Sequence, residues 1–111
     1  LVGTGFAYDP GRRARQGNVV RAVLPNVRDI RRFGAAALDL CWVACGRLDA
    51  YFERGLAPWD LAAGALIAGE AGASVGDLDG GAPSGDFTLA AGTGIFEPLR
   101  ALLGTTGARE A

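Results

Sequence analysis

The segment between Gly34 and Gly46 constrains this chain more than any other. Its residues, Ala35-Ala36-Ala37-Leu38-Asp39-Leu40-Cys41-Trp42-Val43-Ala44-Cys45, include one polar side chain, Asp39. A helix that is apolar nearly all round has to be buried on most sides. Gly46 suits the position just past its end, where left-handed backbone costs glycine little. The period then changes. From Arg47 to Glu53, Leu48, Ala50 and Phe52 alternate with Asp49, Tyr51 and Glu53, the mark of a half-buried strand. Pro58-Trp59-Asp60 opens a second helix that runs through Leu61, Ala65, Leu66 and Ala68 to Gly72. Proline fits a first helical turn, and an aspartate there complements the helix dipole. Helix, strand and helix in succession argue for an α/β layered fold.

The flanks continue the alternation. Leu1 to Ala7 reads as a strand, Asp9-Pro10-Gly11 as a turn and Arg12-Arg13-Ala14-Arg15 as a basic stretch. Val19, Val20, Val23, Leu24 and Val27 share one helix face, with Pro25 kinking or ending the run. Asp29 to Phe33 reads as a short strand. Ala73 to Leu78 and Phe87 to Ala91 read as further strands around a Gly/Pro/Ser/Asp loop at 79–86. Ile95 to Leu103 is a closing amphipathic helix. The expected folded unit is 1–103, with 104–111 a frayed, disordered tail.

Composition removes whole classes of chemistry. All 11 basic residues are arginine, so there is no lysine for a P-loop or a Schiff base. There is no histidine either, which excludes a Ser-His-Asp triad and imidazole ligation of a metal within this chain. What remains is carboxylate chemistry: general acid–base work, or oxygen ligation of a hard cation such as Mg²⁺. Cys41 and Cys45, four apart on a helix, are expected to face the core together as structural thiols in a reducing compartment. The net charge is −1. Seven arginines nevertheless crowd into residues 1–32, without the interleaved aromatics of a nucleic-acid site. The chain has no methionine and opens on a strand. No basic-then-apolar leader precedes that strand, and no apolar run nears the ~20 residues of a membrane span. The expectation is a piece of a longer cytoplasmic protein, with no nucleic-acid or membrane partner.

The sharpest constellation is Glu53 and Asp60. Glu53 ends a strand on its polar face, and Asp60 starts a helix seven residues later, across a turn containing Gly55. Both carboxylates could project into one cleft at the strand ends, where open α/β sheets bind ligands. The plainer readings are a helix cap for Asp60 and a solvated strand end for Glu53, and spacing alone does not separate them. Gly34-Ala35-Ala36 opens a helix directly after a strand, which exposes free backbone N–H groups to a ligand or simply permits close helix–sheet packing. Gly3-Thr4-Gly5 and Gly92-Thr93-Gly94 are too short for a dinucleotide fingerprint.

Taken together, Leu38 to Glu53, Pro58-Trp59-Asp60-Leu61-Ala62-Ala63-Gly64 and Glu70-Ala71-Gly72 closely resemble the inositol monophosphatase family. The W-D-x-A-A-G segment is that family's carboxyl-terminal signature. Leu1 to Phe6, Arg31-Arg32-Phe33-Gly34 and Gly80-Gly81-Ala82-Pro83 fall in the expected order. The resemblance implies the family's carboxyl-terminal lobe, a mixed β-sheet flanked by helices. It implies a Mg²⁺-dependent phosphatase acting on inositol 1-phosphate or a similar small phosphomonoester, and it allows a homodimer. By the same resemblance Asp60 is a metal ligand and Glu53 accepts hydrogen bonds from inositol hydroxyls. Gly34 and Ala36 form the backbone wall beside the sugar ring, and Arg31 helps line the entrance.

The departure from the family pattern is large. The acidic pair and the D-P-[LI]-D-G-T motif of the amino-terminal half, which carry most metal ligands and the water-activating groups, are not in this sequence: Asp9-Pro10 is followed by Gly11-Arg12. No catalytic residue is therefore expected here. The chain alone should be inactive, with the missing amino-terminal half of the same enzyme as its partner. Two alternatives stand beside this reading. One is a related phosphatase acting on histidinol phosphate, fructose bisphosphate or adenosine bisphosphate. The other is a non-catalytic binding or interaction module.

Overall fold

Asp9 and Pro10 begin a helix instead of turning the chain. In a computed structural model describing residues 1–111, Asp9 is an N-cap whose Oδ2 accepts from the Arg12 N–H at 2.9 Å, and Pro10 occupies the first helical position. Both are preferred helix-start residues, so the helix α1 (Pro10–Val23) starts well before the apolar run that betrays it. A 3-10 turn at Leu24–Asn26, containing Pro25, ends it. The remaining elements are β1 (Val2–Thr4), β2 (Ile30–Arg31), α2 (Ala36–Ala44), β3 (Ala50–Glu53), α3 (Pro58–Glu70), β4 (Ser74–Gly76), β5 (Thr88–Ala91) and α4 (Thr93–Gly104).

The five strands form one mixed sheet in the order β2-β1-β3-β5-β4. β1 is parallel to β2 and β3, whereas β5 is antiparallel to β3 and β4. Each face of the sheet carries its own core. On one, Val19 and Val23 of α1 and Leu99 and Leu103 of α4 pack over Val2, Ala50, Phe52, Leu89 and Ala91. On the other, Leu40 and Val43 of α2 pack over Tyr51 and Ala90 with Leu48 and Leu56. α3 reaches this second layer through Leu61 and through Gly64, where an added Cβ would stand 2.8 Å from the Leu40 Cβ. The result is a three-layer α/β/α arrangement, the mixed sheet flanked by helices expected above.

Four expectations are corrected. β3 is not half-buried: it is the middle strand with helices on both faces, so Ala50, Tyr51 and Phe52 are all buried. α2 is covered on one side only, since α3 and the sheet shield Asp39, Leu40 and Val43 but leave Leu38 exposed. The two cysteines do not share the core; Cys41 is half-buried and Cys45 exposed, both unpaired. Residues 104–111 do not fray. α4 runs to Gly104, and the turn beyond it folds Ala108 and Ala111 into the α1–α4 core, while Arg109 pairs with Asp79 at 2.7 Å. Small side chains at 108 and 111 carry no periodic signal, so sequence patterning could not reveal this return.

Candidate active site

β1 and β3 run parallel, so their carboxyl ends lie side by side, and the chain segments leaving those ends wall a cleft of about 380 Å³. That volume lies within the range of small-molecule pockets, roughly 300–1,000 Å³. Glu53, the last residue of β3, lies across Gly5, where any Cβ would run into its carboxylate. A side chain at position 5 would therefore have to displace the Glu53 carboxylate. Tyr51, fully buried two residues earlier on the same face, donates its hydroxyl to Glu53 Oε1 at 2.6 Å. Burial pushes the Glu53 carboxyl above its ordinary range, against the opposing pull of the Tyr51 hydrogen bond and of Arg32. Burial, and then the Glu53 charge, push the Tyr51 phenol upward.

Asp60 is the third residue of α3. Its Oδ2 accepts from the Ala57 N–H at 3.0 Å, capping the helix from inside. The cap and the ligand readings of Asp60 are compatible, because this bond uses one oxygen and the residue still lines the cleft. Gly34 lies on the opposite wall with φ +79°, a left-handed conformation that favours glycine. Ala36, the first residue of α2, is beside it.

Glu53, Asp60, Gly34 and Ala36 are therefore brought together. Arg31 is not: its guanidinium pairs with Asp29 at 2.8 Å, and the neighbouring Arg32 lines the cleft. Adjacent residues at a strand end point to opposite sides, and the register of a two-residue strand is not legible in advance. Arg12 and Arg54 also line the cleft. Arg12 was hidden inside a stretch that reads as a basic turn.

Beneath the cleft sits Asp39, 1% exposed, its Oδ1 without a hydrogen-bond partner. A Cβ on Gly3 would lie 3.1 Å from that oxygen, so the carboxyl is tucked under β1. Burial first, and then the Glu53 charge, push Asp39 up to about 6, against the pull of Arg32. Its signal in the sequence is its solitude, as the one polar side chain in an apolar helix.

The oxygen donors suit a hard cation, but no group of three or more His, Cys, Asp or Glu side chains is close enough to hold a metal ion. Mg²⁺ demands near-octahedral oxygen coordination. Asp60 can contribute to such a site, and this chain's residues do not complete one.

The profile of the inositol monophosphatase family matches residues 1–109. The chain belongs to the inositol monophosphatase family. It is 53% identical over 105 residues to the inositol-1-monophosphatase of Mycobacterium leprae, covering 93% of this chain and 36% of that protein. It is 52% identical over 81 residues to a Nus factor SuhB of Xylella fastidiosa, covering 72% of this chain and 30% of that protein. Among solved members of the family, Mycobacterium tuberculosis SuhB superposes with a TM-score of 0.82 at 52% identity, over 94% of this chain and 40% of that one. The chain thus spans 30–40% of the length of these relatives. No helix is long and apolar enough to cross a membrane.

Proposed function

We propose that this chain forms the polyol-binding wall of a Mg²⁺-dependent phosphomonoesterase that releases phosphate from inositol 1-phosphate or a similar sugar phosphate. The observation that carries the reading is the convergence of Glu53 and Asp60 on one cleft, from a strand end and a helix start. An ionised carboxylate accepts through both oxygens. With Oε1 held by Tyr51, Glu53 presents a fixed acceptor to ring hydroxyls. Gly34 and Ala36, lacking bulk, let the ring lie against backbone. Asp60 supplies one ligand to the cation, whose chemistry when bound is to stabilise charge on the phosphoryl oxygens.

The remaining ligands and the group that activates water lie, in this reading, in the part of the relatives that this chain does not span, so the chain alone does not turn over. Exposed Leu38 on α2 and Trp59, Leu66 and Ile67 on α3 support further protein packing on that layer. The unpaired Cys41 and Cys45 suit a cytoplasmic setting.

The test is a substrate panel on a chimera in which the amino-terminal part of the M. leprae relative precedes Leu1. Glu53→Gln should lower kcat/KM for inositol 1-phosphate by about tenfold or more, the scale of a hydrogen bond to a charged group. Unchanged inositol 1-phosphate turnover would rule out the polyol assignment, and preferred turnover of histidinol phosphate or a bisphosphate would move the substrate within the class. A second reading, a binding role, is favoured by the relative named as a Nus factor. It predicts no turnover of any panel member by the chimera.

A further inference from the structure

Tyr8 stands at the rim of the cleft and touches almost nothing of its own chain. It is 94% exposed, and its ring belongs to neither aromatic pair, Phe33 with Trp42 or Phe52 with Phe87. Its backbone is nevertheless held. The Ala7 N–H donates to Gln16 Oε1 at 2.9 Å, and the Ala7 carbonyl accepts from Arg13 Nη1 at 3.1 Å. On the other side Asp9 caps α1. Tyr8 is therefore carried between two anchored neighbours, on the segment joining β1 to α1.

A lone exposed aromatic is ordinary on a protein surface. Tyr8 differs by its place. Of the aromatic side chains, Phe6 and Tyr8 line the cleft. Phe6 is taken, because the Arg13 guanidinium lies over its ring, 5.6 Å from the centroid. Trp59, 82% exposed, is not part of the lining. Tyr8 is thus the aromatic ring left free to meet a ligand in the cleft. A tyrosine on a pinned loop also loses little on binding, since only its few side-chain torsions have to be ordered.

A cyclic polyol phosphate presents phosphate oxygens, hydroxyl edges and C–H faces. The first belong with the cation at Asp60 and the second with Glu53, and neither carboxylate can match the third. An aromatic face can: its negative π cloud attracts C–H groups polarised by neighbouring oxygens, and apolar area leaves water on both sides. We propose that Tyr8 is a specificity-determining residue of the cleft, its ring lying against the C–H face of the substrate, so that a ring-shaped polyol phosphate is preferred over an open-chain one. The choice of a polyol rests on the function proposed above, while the contact itself rests on the exposure and fixed position of Tyr8.

The test compares inositol 1-phosphate with the open-chain glycerol 2-phosphate as substrates of the chimera described above. Tyr8→Ala should raise KM for inositol 1-phosphate about threefold to tenfold, the scale of a partly covered ring face. It should leave kcat, and KM for glycerol 2-phosphate, near the parental values. Tyr8→Phe keeps the ring and should keep both KM values. Equal rises for the two substrates, or no rise, overturn the proposal. So does a Tyr8→Phe variant that behaves like Tyr8→Ala, which would assign the role to the hydroxyl. A fall in kcat on both substrates would mean that Tyr8 packs against the amino-terminal part and not the substrate, which also overturns it. If the chimera turns over neither substrate, the ring is read directly in this chain, whose two tyrosines are Tyr8 and Tyr51. Its Tyr8 ring proton resonances should shift with inositol 1-phosphate and not with glycerol 2-phosphate, and unmoved resonances overturn the proposal. Glu53→Gln separates the two readings: if it changes nothing while the substrate-selective effect of Tyr8→Ala persists, the hydroxyl acceptor fails and the ring contact stands.

Discussion

Replacing Asp39 with asparagine removes a carboxyl group that the fold holds in an unfavourable state at neutral pH. The residue is 1% exposed with an unpartnered Oδ1, and burial followed by the Glu53 charge raises it from 3.8 to about 6. Because the folded value is the higher one, folding favours the protonated acid. The stability tied to this group is complete below about pH 4 and is lost as pH rises through about 6. A gap of about two units, at about 1.4 kcal/mol per unit, amounts to roughly 2–3 kcal/mol. Asparagine cannot ionise and escapes the loss. The unfolding free energy of Asp39→Asn minus that of the parent should therefore rise by roughly 2–3 kcal/mol between pH 4 and pH 8. Any fixed cost of the amide is a constant offset, and titrating groups that do not interact with Asp39 cancel, while the Glu53 charge acts on Asp39 and is part of the measured difference. Urea unfolding followed by fluorescence suits the measurement, because Trp42 is partly buried beside the α2–α3 core whereas Trp59 is 82% exposed. A difference that does not change with pH would refute the account of Asp39 as a carboxyl driven toward neutrality by its burial.

The Tyr51 hydroxyl lowers the Glu53 carboxyl, so Tyr51→Phe should shift the acid limb of inositol 1-phosphate binding to higher pH; a profile that does not move would reduce Tyr51 to packing. Gly5→Ala should displace the Glu53 carboxylate and weaken inositol 1-phosphate binding by about tenfold, read by calorimetry. Gly64→Ala gains about 1 kcal/mol of helix propensity but forces α3 off Leu40 at about 1–3 kcal/mol. The net expectation is lower stability, and a raised urea midpoint would mean that the helices separate freely.

The layered fold was legible because its signals are local. The apolar run of α2, the alternation of β3 and the proline at the start of α3 each state their own element, and the strands between them follow by order. What was illegible depends on pairing. The middle position of β3, and with it the burial of both its faces, comes from β1 on one side and β5 on the other. Glu53 and Asp60 drew attention by their places at a strand end and in a first helical turn, but the roles expected of them, and of Gly34 and Ala36, came from the family resemblance and not from spacing. Arg31 was misplaced and Arg32 missed because one residue of register decides which side of a strand end a side chain takes. Asp39 stood out as an oddity, yet only the depth of the α2–β1 contact explains what the fold does to it.

Phosphate release from inositol 1-phosphate, titrated with Mg²⁺, tests the central claim most directly. It should be measured for the chain alone and for the chimera completed ahead of Leu1, each with and without Asp60→Asn. The account predicts silence from the chain alone, metal-dependent turnover from the chimera, and loss of that turnover with Asp60→Asn. Turnover by the chain alone, or a chimera indifferent to Asp60→Asn, would contradict it.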